Sequence, residues 1–265
     1  MSSRDSRRYW DALAATYQED TRISCEGFHL GPLLPEARQF GLLPDAIPGL
    51  RALELGCGAG QNSVFLARCG ACCTAVDISA SQLRLACGFA SRYEVPLRLI
   101  QADLDRLPFP PVPTFDFIHS VWALPMTRNP AGVLQLASSL LRPGGRLLLS
   151  TAHPLFFGEW LDLDGEKGIF LPDYFQPPPD RRMMEDEEPV CVEARAVPLS
   201  RIFHWLREGG LDVVDFREPR PLPIPDMTHA DVIRLCPYDS PAWRDLYPQL
   251  SRLPFVAVFL ACKPT

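Results

Sequence analysis

Three carboxylates and a glycine turn carry the first chemical signal in this chain. In "LELGCGAGQNSVFLA", residues 53–67, Glu54 precedes a turn of Gly56, Cys57, Gly58 and Gly60. Helical spacing resumes at Gln61 and Asn62, while Asp77 follows in "AVDIS" and Asp103 in "IQADLDRLPF". A glycine-rich turn between an apolar run and a helix lets backbone approach a ligand closely. It is not the phosphate cradle of nucleoside triphosphatases, which needs a Lys-Ser/Thr pair that is missing here. Nor is it the dinucleotide turn, whose third glycine would fall where Gln61 stands. Glu54 would repel a pyrophosphate and welcome an ammonium group, so the turn suits a ligand with a positive or zwitterionic end.

These residues need a scaffold that gathers positions 54, 77 and 103, and hydrophobic periodicity supplies one. "RALEL" reads as a strand and "QNSVFLARCG" as a helix; "CCTAVDI" is the second strand. A helix follows through "ASQLRLACGFASRYEV", capped by Ser79 or Ser81. "PLRLIQAD" and "FDFIHSV" are the third and fourth strands. "NPAGVLQLASSLLRPGG" is a helix stopped by Pro143 and Gly144–Gly145, and "RLLLSTA" the fifth strand. Repeated strand–helix–strand units predict a mostly parallel sheet covered on both faces. The carboxyl ends of its strands open into one crevice, where Asp77 would accept from ribose hydroxyls.

After residue 153 the regularity fails. "HPLFFGEWLDLDGEKGIFLPDYFQPPPDRRMMEDEEP" is rich in aromatics, proline and acid without sustained period, and its "EDEEP" run reads as a solvated loop. "VCVEARAV" then alternates like a strand and "LSRIFHWLREGG" is a helix. "LDVVDFREP" and "FVAVFLACK" are two more strands, separated by a Pro-rich segment with a short helix around "PAWRDLY".

Taken together, these motifs resemble the class I methyltransferases that use S-adenosyl-L-methionine. "LELGCGAG" resembles that family's glycine-rich motif, "VDIS" its ribose-binding acid and "ADLDRLPF" its adenine-binding segment. "FDFIHSVWAL" and "LLRPGGRLLLS" match its fourth and fifth strands. The resemblance implies a doubly wound α/β fold: a mostly parallel seven-stranded sheet with helices on both faces. It would comprise an N-terminal helical segment (1–50), a Rossmann-like core (51–153), an inserted lid after strand 5 (154–198) and a C-terminal part completing the same domain (199–265). The glycine turn would meet the methionine moiety and ribose, and Glu54 would hold the loop and favour the amino group. Asp77 would take the ribose hydroxyls, with Ile78 and Gln82 against the adenine. Asp103 would accept from the adenine amine beside Leu104, and Ser120 would lie near the methionine end. Gln61 and Asn62 would add polar contacts, and Tyr17 would fold over the cofactor. S-adenosyl-L-homocysteine would be the product.

Methyl transfer is an in-line displacement that needs alignment, water exclusion and, for a protonated nucleophile, one general base. Histidine suits that near neutral pH. His153, opening the irregular segment after the fifth strand, is the first candidate and His29, in "CEGFHLGP", the second. His119 suits a core role and His204 a helix surface, while His229 has no readable place. Trp160, Tyr174 and Phe175 are candidate acceptor contacts or lid packing.

Composition narrows the acceptor. The chain has 265 residues, 47% hydrophobic and 22% charged, with net charge -6, so it lacks the basic footprint of a nucleic-acid binder. Cys69, Cys72 and Cys73 cluster without the second ligand pair a structural zinc needs, so no metal is expected. With no signal-like or spanning apolar run, a cytoplasmic protein is expected. The motifs of amine-directed, cytosine-ring and protein-arginine methyltransferases are missing. A small-molecule acceptor in specialised metabolism is therefore expected, without membrane or nucleic-acid partner and with oligomeric state unread. The alternatives are a tRNA- or protein-modifying methyltransferase and a non-methylating S-adenosylmethionine-binding protein.

Overall fold

Apolar runs separated by helices must pair side by side to satisfy their backbones, and here they do so with short crossovers. The computed structural model describes residues 2–184 and 189–265. Helix α1 (Ser3–Thr21) is followed by β1 (Arg51–Leu55), α2 (Gln61–Arg68), β2 (Cys72–Asp77), α3 (Ala80–Arg92) and β3 (Leu97–Gln101). Then come β4 (Phe115–Val121), α4 (Pro130–Leu140) and β5 (Leu141–Ala152). Two hairpins follow: β6 (Glu159–Leu163) with β7 (Glu166–Phe170), and β8 (Asp180–Met184) with β9 (Val190–Ala194). Beyond them lie α5 (Leu199–Glu208), β10 (Asp212–Arg217), α6 (His229–Leu235), α7 (Pro241–Asp245), α8 (Tyr247–Leu250) and β11 (Val256–Cys262).

Seven strands form one sheet in the order β10-β11-β5-β4-β1-β2-β3, with β11 antiparallel to both neighbours and the remaining pairs parallel. Because β1 lies between β2 and β4, the direction of crossover reverses at β1, and a ligand crevice opens at its carboxyl end. Alternating side chains feed two cores. Ala52 and Phe117 join Phe28, Phe65 and Leu66 on one face. Leu53 and Ile118 join Leu134, Leu206 and Phe259 on the other. Each such buried Leu, Ile or Phe side chain contributes about 1.5–3 kcal/mol before entropy is charged.

Local signals set the helix starts. Ser79, not Ser81, caps α3 by accepting from Gln82 N. Asn129 caps α4, with Pro130 in its first turn. Ser2 and Asp5 form a reciprocal capping box on α1. The helix expected to be stopped by Pro143 ends instead at Leu140, and the chain is already strand at Leu141.

Part of the segment read as irregular is a hairpin. Asp164 and Gly165 both have positive φ, 55° and 86°, the geometry of a two-residue primed turn between β6 and β7. Its strands are mostly exposed, so no burial alternation marks them. The "EDEEP" run falls largely on residues 185–188, outside the described residues. Strand β9 packs on α1, where Val190 and Val192 meet Tyr9, Trp10 and Leu13.

Candidate active site

The loop after β1 is built by its glycines. Gly56, Gly58 and Gly60 all have positive φ, at 72°, 53° and 72°. A Cβ on Gly56 would lie 2.2 Å from the Ala123 side chain, so no other residue fits there. Gly56 N and Cys57 N both donate to Val76 O at 2.9 Å, binding the loop to the end of β2. A cavity of about 260 Å³ opens beside it, at the lower edge of small-molecule sites.

Glu54 faces this cavity but works inward: its Oε2 accepts from Ser63 N at 3.1 Å and Ser63 Oγ at 2.6 Å. Burial pushes its carboxyl up to about 8, so it is mostly protonated at neutral pH without a ligand. Asp77 Oδ2 accepts from Gly58 N at 2.8 Å and Oδ1 from Ser79 N at 2.9 Å, while burial raises its pKa. Ile78, Gln82 and Leu104 line the same space. The Gln82 Oε1 is buried there without a hydrogen-bond partner among the described residues. Asp103 also lines it, but its Oδ2 accepts from Ser3 Oγ of α1 and from Arg128 Nη2. Gln61 Nε2 donates to Gln18 Oε1 at 2.6 Å, a second tie to α1.

Some expected residues fall elsewhere. Asn62 does not line the cavity; its amide clasps the His29 backbone, accepting from N at 2.9 Å and donating to O at 3.1 Å. Ser120 is likewise turned into the sheet, donating to Leu55 O at 2.9 Å, and its successors Val121, Trp122 and Ala123 reach the cavity.

The histidines change order. His153 lies away from the cavity: its Nε2 is 2.9 Å from Glu218 Oε1 and its Nδ1 accepts from Leu155 N at 3.1 Å. Both ring nitrogens are engaged, Nδ1 within the segment after β5 and Nε2 with Glu218 after β10, which corrects its placement as the first candidate base. His29 does line the cavity, with Nδ1 buried and unpartnered among the described residues. Burial lowers its pKa to about 4, so it is neutral at physiological pH. His119 is wholly buried between Phe28 and Phe117, lowered to about 3, and 3.8 Å from Glu54, too far for a hydrogen bond. His204 pairs with Glu208 on the α5 surface, and His229 is exposed at the start of α6.

The aromatic wall also differs from expectation. Trp160, Tyr174 and Phe175 do not line the cavity, and Phe175 is 72% exposed. Its rings are Trp10 and Tyr17 from α1, Trp122 after β4, and Tyr238 and Trp243 from the Pro-rich segment. The Tyr17 and Tyr238 hydroxyls are 3.1 Å apart. Trp122 has a left-handed φ of 61°, a costly conformation for a bulky residue and one that re-aims the chain after β4. That strain has no sequence signature, whereas Trp122's position just after a strand end does. From the inserted segment Arg182 of β8 reaches the cavity. Among the described residues no group of three His, Cys, Asp or Glu side chains could hold a metal ion.

A glycine loop at the switch point, an acid at the end of β2 and a cavity without phosphate-binding lysine define a nucleoside-binding α/β fold. The Gln82 oxygen, without a partner among the described residues, lines the same cavity as Asp77 and fits a ligand rich in hydroxyl and amine donors, as S-adenosylmethionine is. Residues 53–149 match the family described as methyltransferase domain. A ubiquinone biosynthesis O-methyltransferase of Xylella fastidiosa is 40% identical over 109 residues, 40% of this chain and 44% of that protein. A demethylmenaquinone methyltransferase of Tropheryma whipplei is 37% identical over 111 residues, 41% of this chain and 45% of that protein. The chain thus spans less than half the length of these relatives. Among solved structures, an S-adenosylmethionine-dependent methyltransferase from Mesorhizobium loti superposes with TM-score 0.62 at 23% identity, covering 86% of this chain and 96% of that one. The CcbJ methyltransferase from Streptomyces caelestis superposes with TM-score 0.61 at 15% identity, covering 97% and 98%. Residues 53–149 thus match a methyltransferase domain, and the sheet around them has the fold of S-adenosylmethionine-dependent methyltransferases.

Proposed function

We propose that this protein transfers a methyl group from S-adenosylmethionine to a nucleophile of a small molecule, with His29 receiving the proton that the acceptor gives up. The observation that carries the reading is one cavity joining the glycine loop and Asp77 to an aromatic chamber around His29. When bound, S-adenosylmethionine supplies an activated methyl group. Asp77, Gln82 and the glycine loop hold and orient the nucleoside. The rings of Trp10, Tyr17, Trp122, Tyr238 and Trp243 exclude water and fix the acceptor's plane. The neutral His29 sits on a backbone clasped by Asn62, and its buried Nδ1 has no partner among the described residues, so its ring is positioned and that nitrogen is unengaged. The relatives named for ubiquinone and demethylmenaquinone synthesis favour a small acceptor over a macromolecule.

The test combines calorimetry with S-adenosylhomocysteine and an acceptor screen read by S-adenosylhomocysteine formation. Binding plus turnover is the expected result. His29→Asn should lower kcat by roughly 10²–10⁴-fold while leaving cofactor Kd unchanged. Unchanged kcat would remove His29 from the chemistry. Binding without any turnover would favour a non-methylating role.

A further inference from the structure

The cavity is one space with two electrostatic halves. Among the described residues, the acidic side chains lining it are the mostly protonated Glu54 with Asp77, Asp103 and Asp105, all within or just after the ends of β1, β2 and β3. Arg128 lines this half too, but its Nη2 is on Asp103 at 2.7 Å and its Nε on Asp105 at 3.0 Å. The other half holds rings and one cation, Arg182 of β8. Asp180 occupies one edge of that guanidinium, taking Nε and Nη2 through a single oxygen at 2.8 Å. Among the described residues its Nη1 has no hydrogen-bond partner. Its charge acts on both Tyr17 and Tyr238, pulling their pKa values down against the upward push of burial.

The rings around it form a connected set. Trp10 meets Tyr17 edge-on at 5.8 Å, Tyr238 lies 6.4 Å from Trp243, and Trp243 lies 5.8 Å from Trp122. Rings alone would attract a cation through their faces. A guanidinium among them reverses that preference, because a like charge in a half-buried site is repelled and an anion is drawn in. A planar guanidinium with one edge open matches a carboxylate in two parallel hydrogen bonds. Since Asp180 already offsets part of its charge, one carboxylate fits better than a phosphate dianion.

From this arrangement we infer that the methyl acceptor is a planar aromatic compound bearing a carboxylate, its ring held among the tryptophans and tyrosines and its carboxylate on Arg182. The inference rests on the acceptor role given to this chamber above. Arg182 is a specificity residue here and takes no part in the methyl transfer itself.

The test is calorimetry on protein saturated with S-adenosylhomocysteine, using three probes of one shape: 3,4-dihydroxybenzoate, its methyl ester and 3,4-dihydroxybenzylamine. The acid should bind at least about tenfold tighter than the ester, with the amine weakest. Arg182→Gln should erase that gap and Arg182→Lys keep part of it, with S-adenosylhomocysteine affinity equal in all three proteins. Equal or tighter binding of the ester or amine, binding of none of the probes, or a gap that survives Arg182→Gln would each overturn the inference. The wild-type comparison stands even if a variant does not fold. Failure of S-adenosylhomocysteine itself to bind would instead strike the proposed function, and this inference with it.

Discussion

Asp77 joins the glycine loop to the start of α3, because its two oxygens accept from Gly58 N and Ser79 N while the group still faces the cavity. Asp77→Asn keeps the shape but turns half of the carboxylate into a donor, opposed to the hydroxyls it is placed to receive. The variant should lose about 1.5–3 kcal/mol of S-adenosylhomocysteine affinity, roughly 10–100-fold in Kd by calorimetry. An unchanged Kd in a variant with unchanged Tm would remove Asp77 from the cofactor site. Asp77, Gly56 and Gly58 were legible as cavity-lining positions because residue type at a strand end sets where they sit. Ser120 was not, because adjacent strand residues point to opposite faces and a one-residue difference decides which reaches the crevice.

Helix α1 lies across the mouth of the crevice as a set of discrete ties. Asp11 Oδ1 accepts from Ser79 Oγ at 2.7 Å and Ser81 N at 2.9 Å, Gln18 meets Gln61, and Tyr17 meets Tyr238. Such a helix, held by polar contacts over a cavity, opens more readily than the sheet beneath it. Asp11→Ala should speed amide hydrogen exchange within α1 by about tenfold, equivalent to about 1.4 kcal/mol, and leave β1 and β4 protected. Exchange that does not change would show that the remaining polar ties and the apolar contact with β9 hold α1 without Asp11. Sequence periodicity identified most core elements, since burial on a regular face leaves a period of 2 or 3.6, whereas the N-terminal helical segment entered only through the family resemblance. It missed the β6–β7 hairpin, whose strands bury little, although the Asp164–Gly165 pair marks its turn.

Three buried titratable groups give the whole molecule a pH profile. Glu54 is raised from 4.5 to about 8, so the folded state binds more protons than the unfolded state between these values. Its contribution is fully present below 4.5 and lost as pH rises towards 8. His29 and His119 are lowered from 6.5 to about 4 and about 3, so their contribution is present above 6.5 and lost as pH falls. Between 4.5 and 6.5 two histidines outweigh one carboxyl, and above 6.5 the carboxyl acts alone. Stability from these groups should therefore peak near pH 6.5, falling by at most about 1.4 kcal/mol per pH unit on the alkaline side. Urea unfolding from pH 5 to 8.5 measures this, and Glu54→Gln should flatten the alkaline limb. A limb that stays as steep in Glu54→Gln would assign the slope to other groups.

The strand–helix alternation, the glycine turn and the acids at the ends of β2 and β3 were determined by sequence, because each is a local rule about backbone conformation or periodic burial. The aromatic chamber proposed for the acceptor was decided by tertiary structure alone. Its walls come from α1, the turn after β4, β8 and the Pro-rich segment around Tyr238 and Trp243, which are distant in the chain and share no period. The exchange of His153 for His29 has the same origin. Both histidines sit on loops, and contacts from distant parts of the chain separate them: Glu218 on His153, and Asn62 and Tyr238 on His29.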